Sequence, residues 1–146
     1  MSNSTERNLD RLAAKHGQAI IRRVVDKEET QRNKQEDEKK NKQQLTTSIE
    51  NTITKALGVL QENGVYACFL YLLAREKENG SVVVDEMLNV LDGLGFGWGK
   101  PASNRPEQVL AHVSEKVTTD LERLLLAKET LEQMLIYARY GAKARE

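Results

Sequence analysis

The chain has 146 residues, with 22 basic and 22 acidic side chains, 39% hydrophobic residues and only 5% aromatic ones. That length suits one domain able to bury a core of its own. A formal net charge of zero removes bulk charge as an argument for or against a nucleic-acid partner. One cysteine, Cys68, cannot form a disulfide within the chain, which suits a reducing compartment. The polar opening MSNSTERNLD is expected not to be a signal peptide, and no apolar run approaches membrane-spanning length, so the expected location is the cytoplasm.

Charge is unevenly spread. Residues 1–44 hold 11 basic and 8 acidic groups, residues 45–119 hold 6 and 9, and residues 120–146 hold 5 of each. A basic end and an acidic middle are compatible with head-to-tail stacking.

In chain order, Ser4 or Thr5, with Glu6 and Asp10 in the first turns, starts a helix. Leu9, Leu12, Ala13, His16, Ile20 and Val24 follow at helical spacing. Gly17 costs this helix about 1 kcal/mol relative to alanine; it either permits close approach of another helix or is simply tolerated. Residues 1–27 thus form a basic N-terminal helix. From Glu28 to Gln44 there is no apolar residue. The segment 28–44 is either an exposed charged helix, supported by pairs such as Glu36–Lys40 and Glu38–Lys42, or a tether.

The bundle core is expected over 45–146. Leu45, Ile49, Ile53, Ala56, Leu57 and Leu60 form a stripe that stops at Asn63–Gly64. Val65 to Lys77 is apolar nearly all round and reads as buried, Cys68 with it as an inert thiol. Asn79–Gly80 reads as the next stop and Ser81 as the following N-cap. Val83, Met87, Leu88, Val90 and Leu91 then point inward, and helix is preferred to strand for Val82–Val84 because no partner strand exists. The window DGLGFGWGKPASNRP is a long loop. Pro106 starts a helix through Val109, Leu110, Val113 and Val117. In the last helix Leu121, Leu124, Leu125, Ala127/Lys128, Leu131, Leu135, Ala138 and Ala142 recur on one face, widened by Leu126, Met134, Ile136 and Tyr137. The expected fold is an all-α, single-domain bundle of five or six helices.

No catalytic constellation stands out. Arg11-x₄-His16 resembles the short active-site motif of a helical ribonuclease family, but Leu12 occupies a position usually polar there; the ordinary reading is that His16 flanks the core. His112 has no metal ligands at suitable spacing, and Gly93 to Gly99 lacks the Lys-Ser/Thr of a phosphate loop. No catalytic residue, metal or cofactor is assigned. The stronger signal is basic. Arg7, Arg11, Lys15 and Arg22 lie on one side of the first helix, as a solvated face or a ladder for phosphates at steps of about 6–10 Å. Arg139, Lys143 and Arg145 make a second cluster. Trp98 with Lys100 and Arg105 offers either a stacking residue among cations or a plug for the core.

The segments ALGVLQENGVYACFLYLLAREKENG and LERLLLAKETLEQMLIYARYGAKA resemble the small helical subunit of type III CRISPR effector complexes, most closely that of the Cmr branch. Gly64, Phe69, Tyr71, Leu72, Leu73, Tyr137, Arg139, Tyr140, Ala142 and Lys143 carry the likeness over about residues 50–146. Residues 28–44 and the Gly-rich loop depart from it. The resemblance implies a non-catalytic subunit whose copies stack into a filament beside other effector subunits and hold the backbone of crRNA and target RNA. The rival expectation is a helical adaptor that binds only protein, with no membrane in either case.

Overall fold

Apolar residues at three- and four-residue steps fold into helices whose stripes meet at a common centre. The computed structural model describes residues 2–25 and 35–145. In order these are α1 (Ser2–Val25), α2 (Gln35–Asn63), α3 (Val65–Arg75), α4 (Lys77–Gly93), α5 (Pro106–His112), continued by a π-helical turn over Val113–Val117, and α6 (Leu121–Ala144). The described residues form an all-α, single-domain bundle of six helices without a strand. None of these helices is long and apolar enough to cross a membrane.

α6 lies along both α1 and α2 and also touches α3 and α4, while α3 packs between α2, α4 and α5. Phe69, Ile20, Ile53, Leu91, Met134 and Leu135 are among the fully buried side chains at the centre, each contributing about 1.5–3 kcal/mol by leaving water. α1 supplies Ala13, Ile20, Ile21, Val24 and Val25 to the same core. Of the expected charged segment, residues 28–34 lie outside the described residues; 35–44 form the first turns of α2, with Gln43 and Gln44 exposed.

Two glycines set helix distances. A Cβ on Gly17 would sit 2.8 Å from the Met134 carbonyl oxygen and 3.2 Å from the Ala138 nitrogen, so this residue lets α1 and α6 touch backbone to backbone. Gly80 does not stop a helix, contrary to the sequence-based expectation. It lies inside α4, and a Cβ there would meet the Leu72 carbonyl oxygen at 2.5 Å. The break falls four residues earlier at Glu76 (φ −116°, ψ 83°), so Ser81 is not an N-cap. The missing side chain at Gly80 serves the tight α3–α4 corner rather than a change of backbone hand. Gly64, by contrast, does separate α2 from α3, with φ at +96°.

The expected apolar stripes also shift. Leu121 and Leu125 are 69% and 55% exposed, and the buried face of α6 runs through Ala127, Thr130, Leu131, Met134, Leu135, Ala138 and Ala142. α3 is not buried all round, since Tyr66 and Leu70 are exposed. α6 opens with Asp120 as N-cap, its Oδ1 accepting the Arg123 N–H at 3.1 Å.

Candidate nucleic-acid interface

Arg11, Lys15 and Arg22 stand exposed on α1, at positions that share one side of the helix. Among the described residues none of the three has an ion-pair or hydrogen-bond partner on its side chain. Arg7 belongs to α1, but its side chain lies outside the described residues.

The cation next in line takes a different course. Arg23 turns to α4, where Nη1 donates to Glu86 Oε2 at 2.9 Å and Nη2 donates to Asp85 Oδ2 at 2.9 Å. Glu86 is buried and also meets His16 Nδ1 at 2.8 Å and accepts from Asn89 Nδ2 at 3.1 Å. Burial alone would raise the Glu86 carboxyl, but the hydrogen bonds from His16, Asn89 and Arg23 outweigh it and hold the group below the usual carboxylate range. For Arg23 burial works against the charge, yet Asp85 and Glu86 more than restore it. Asn104, at the end of the Gly-rich loop, donates to Asp85 Oδ1 at 2.9 Å. One carboxylate pair therefore ties α1, α4 and the loop together and takes no cation from the Arg11–Arg22 row.

Sequence reasoning missed this cluster. Glu86 was its one visible signal: it falls on the inward register with Val83, Met87 and Val90, and a charge there requires partners.

The loop after α4 follows its glycines. Gly95, Gly97 and Gly99 all have positive φ, a conformation that side chains resist. The alternation folds Trp98 inward, leaving it 8% exposed, with its ring edge-on to Phe96 at 5.0 Å. Trp98 plugs the core and does not present a stacking face among Lys100 and Arg105, both of which are exposed. The Arg123 guanidinium covers Phe96 at 5.1 Å. His112 is buried beneath the loop; burial lowers its pKa, a hydrogen bond with the Gly99 backbone opposes that shift, and its Nε2 has no partner among the described residues.

Of the second basic cluster, near the end of α6, Lys143 is the member that reaches α2. Arg139 is half-buried, and its buried Nε has no hydrogen-bond partner among the described residues. Lys143 Nζ lies 3.8 Å from Glu50 Oε1. Tyr140, between them in sequence, is 66% exposed, and Arg145 is exposed. Lys128, further back on α6, donates to the Gln61 carbonyl at 3.5 Å. α1 meets α6 on another side, through Gly17 and through the Tyr137 hydroxyl, which donates to Asp10. The structure thus separates the basic residues into a row on α1, two loop cations, and a group near the end of α6 of which Lys143 reaches α2.

Cys68 donates weakly to the Ala56 carbonyl at 3.4 Å, and burial pushes its thiol up to about 12. Among the described residues no three His, Cys, Asp or Glu side chains stand close enough to hold a metal ion. No protein-family model, curated protein or solved structure matches the chain.

Proposed function

We propose that this chain is a non-catalytic small subunit of a type III CRISPR effector complex, acting in the cytoplasm, stacking with copies of itself and holding the crRNA–target RNA backbone on its basic faces. The observation that carries this reading is the row of Arg11, Lys15 and Arg22, exposed on one side of α1 and free of carboxylate partners among the described residues. Unpaired cations spaced along a rigid helix meet a phosphate backbone at no cost in broken ion pairs. The resemblance over residues 50–146 adds the complex and its RNA.

His16 fits the non-catalytic reading as a staple between α1 and α4, since its Nδ1 is engaged by Glu86. His16→Ala is expected to leave RNA binding and any cleavage by the complex unchanged; a purified sample whose RNA cleavage stops on this substitution identifies a ribonuclease instead. Replacing Arg11, Lys15 and Arg22 together by glutamate is expected to weaken binding to unrelated RNAs alike. It should also flatten the salt dependence by roughly one unit for each phosphate that the chain no longer neutralises. The wider test is co-purification from cells expressing the neighbouring genes. Recovery in several copies per particle with a guide RNA supports the proposal.

The exposed pair Leu121 and Leu125 favours a second reading, a helical adaptor that meets only protein. Recovery with a protein partner and no RNA selects it.

A further inference from the structure

The Gly-rich loop between α4 and α5 is held down at few points. Among the described residues, its backbone from Gly95 to Asn104 makes no backbone–backbone hydrogen bond. Over the same span only Trp98 is buried. The other ties are side-chain bonds: Asn104 to Asp85, Ser103 to Gln108, and His112, which meets the Gly99 backbone from beneath. Segments with so few contacts open locally before the body of a protein does.

His112 is the tie that depends on a proton. It is 9% exposed, and its Nε2 has no partner among the described residues, so the bond to Gly99 falls to Nδ1. A neutral imidazole tolerates this, because Nε2 is then an acceptor only. Once protonated, Nε2 carries a hydrogen and shares a positive charge with no acceptor in reach. Burial accordingly lowers the His112 pKa, opposed by Gly99; Lys116 lowers it further, and Asp92 at the end of α4 and Glu115 raise it. Of the helices that pack on this element, α3 carries one charged residue, Arg75, and α6 brings Arg123, held over the Phe96 ring. Lys100, on the loop itself, is exposed.

Relief must come from one side of the ring. The element that carries His112 is anchored by Val109, Val113 and Val117, all fully buried. The loop is anchored by Trp98 alone, next to Gly99. We infer that His112 is a proton-operated latch: when the buried ring gains a proton, the Gly99 segment lifts to let solvent reach Nε2, and Trp98 leaves its seat while the helices stay folded. This device is independent of the RNA-binding reading. The closed loop binds fewer protons than the open one. Closure is therefore fully favoured above the ordinary histidine value of about 6.5 and weakens as pH falls from there through the lower closed-state value.

Trp98 is the only tryptophan of the chain, so its fluorescence reports the loop. The test follows it in the full chain from about pH 8 to about pH 5, with far-UV circular dichroism on the same samples. Opening moves the emission maximum to longer wavelength and raises quenching by acrylamide severalfold, with the helical signal unchanged. His112→Gln keeps an amide N–H for the Gly99 carbonyl and cannot titrate, so its emission stays at the neutral-pH value throughout. His16→Gln, at the chain's other histidine, keeps the shift. Should His112→Gln fail to fold, NMR of ring-labelled histidine in the unaltered chain decides instead. The emission midpoint then coincides with titration of the His112 ring, assigned by comparison with His16→Gln. An emission maximum that stays constant over the range overturns the inference. So does a shift that His112→Gln retains, one that follows the His16 ring, or one accompanied by loss of helix, which is global acid unfolding.

Discussion

Replacing Gly17 by alanine sets two effects of opposite sign against each other. An alanine inside a helix gains about 1 kcal/mol over glycine in intrinsic propensity. At Gly17 the new methyl would lie 2.8 Å from the Met134 carbonyl oxygen, 3.2 Å from the Ala138 nitrogen and 3.3 Å from the Tyr137 Cβ. None of these is the end of a flexible side chain, so α1 and α6 must separate by about half an ångström, and a gap of that size forfeits a quarter or more of each dispersion contact along the seam. Overpacking of this kind costs about 1–3 kcal/mol, and the site lies in the most extensive helix pair of the bundle. Set against the propensity gain, this leaves a net loss of up to about 2 kcal/mol. With an unfolding entropy of about 2 cal/mol/K for each of 146 residues, this lowers Tm by up to about 7 °C. Gly58→Ala is the control: nothing lies within 4 Å of its Cβ position, so propensity acts alone and stability rises by up to about 1 kcal/mol. Differential scanning calorimetry, supported by urea unfolding followed by circular dichroism, separates the two. If Gly17→Ala is as stable as Gly58→Ala, the account of the α1–α6 contact is wrong.

Glu86→Gln is expected to destabilise the protein at neutral pH, and the difference from the unaltered chain should shrink in acid. The depressed folded-state pKa means that the stabilisation is present above the ordinary carboxylate range and is lost as pH falls through the lower folded value; a constant difference between pH 7 and pH 3 in urea titrations contradicts this. Cys68 should resist alkylation by iodoacetamide in the folded protein and react in urea, because burial removes the thiolate; rapid labelling of the native chain would show that it is accessible. Asp120→Ala should cost about 1 kcal/mol through loss of the α6 N-cap, and an unchanged urea midpoint argues against that capping bond.

Periodicity made most of this fold legible. The stripe Ile49–Ile53–Ala56–Leu60 and the stop at Gly64 follow from local spacing and backbone preference, and Pro106 marks the start of α5 for the same reason. Gly80 was misread because sequence shows that a side chain is missing and not whether turn geometry or a neighbouring carbonyl requires it. Leu121 and Leu125 fit the α6 repeat, yet periodicity defines a face without saying how far the neighbouring helices extend along it. The His16–Glu86 contact joins residues 70 positions apart, beyond any local rule, although a carboxylate on the inward register of α4 already demanded partners. Of the basic residues, the α1 row was legible from helical phase alone. The isolation of the Arg139 Nε was not, because it depends on what the fold places around α6.

The pairing of α1 with α6 also governs when the bundle can close. Tyr137 and Asp10 are 127 residues apart, and Gly17 faces Met134 and Ala138, so the largest seam joins the first and last helices described. A hairpin of α2 and α3, or of α3 and α4, can form as soon as its few residues exist, whereas this seam waits for nearly the whole length and must first overcome the entropy of closing a long loop. During synthesis the apolar side of α1 therefore leaves the ribosome well before α6 does. Over that interval, at about 5–20 residues per second, the part of α1 that faces α6 has no permanent cover, and chaperone binding to the nascent chain should concentrate there and end when α6 emerges.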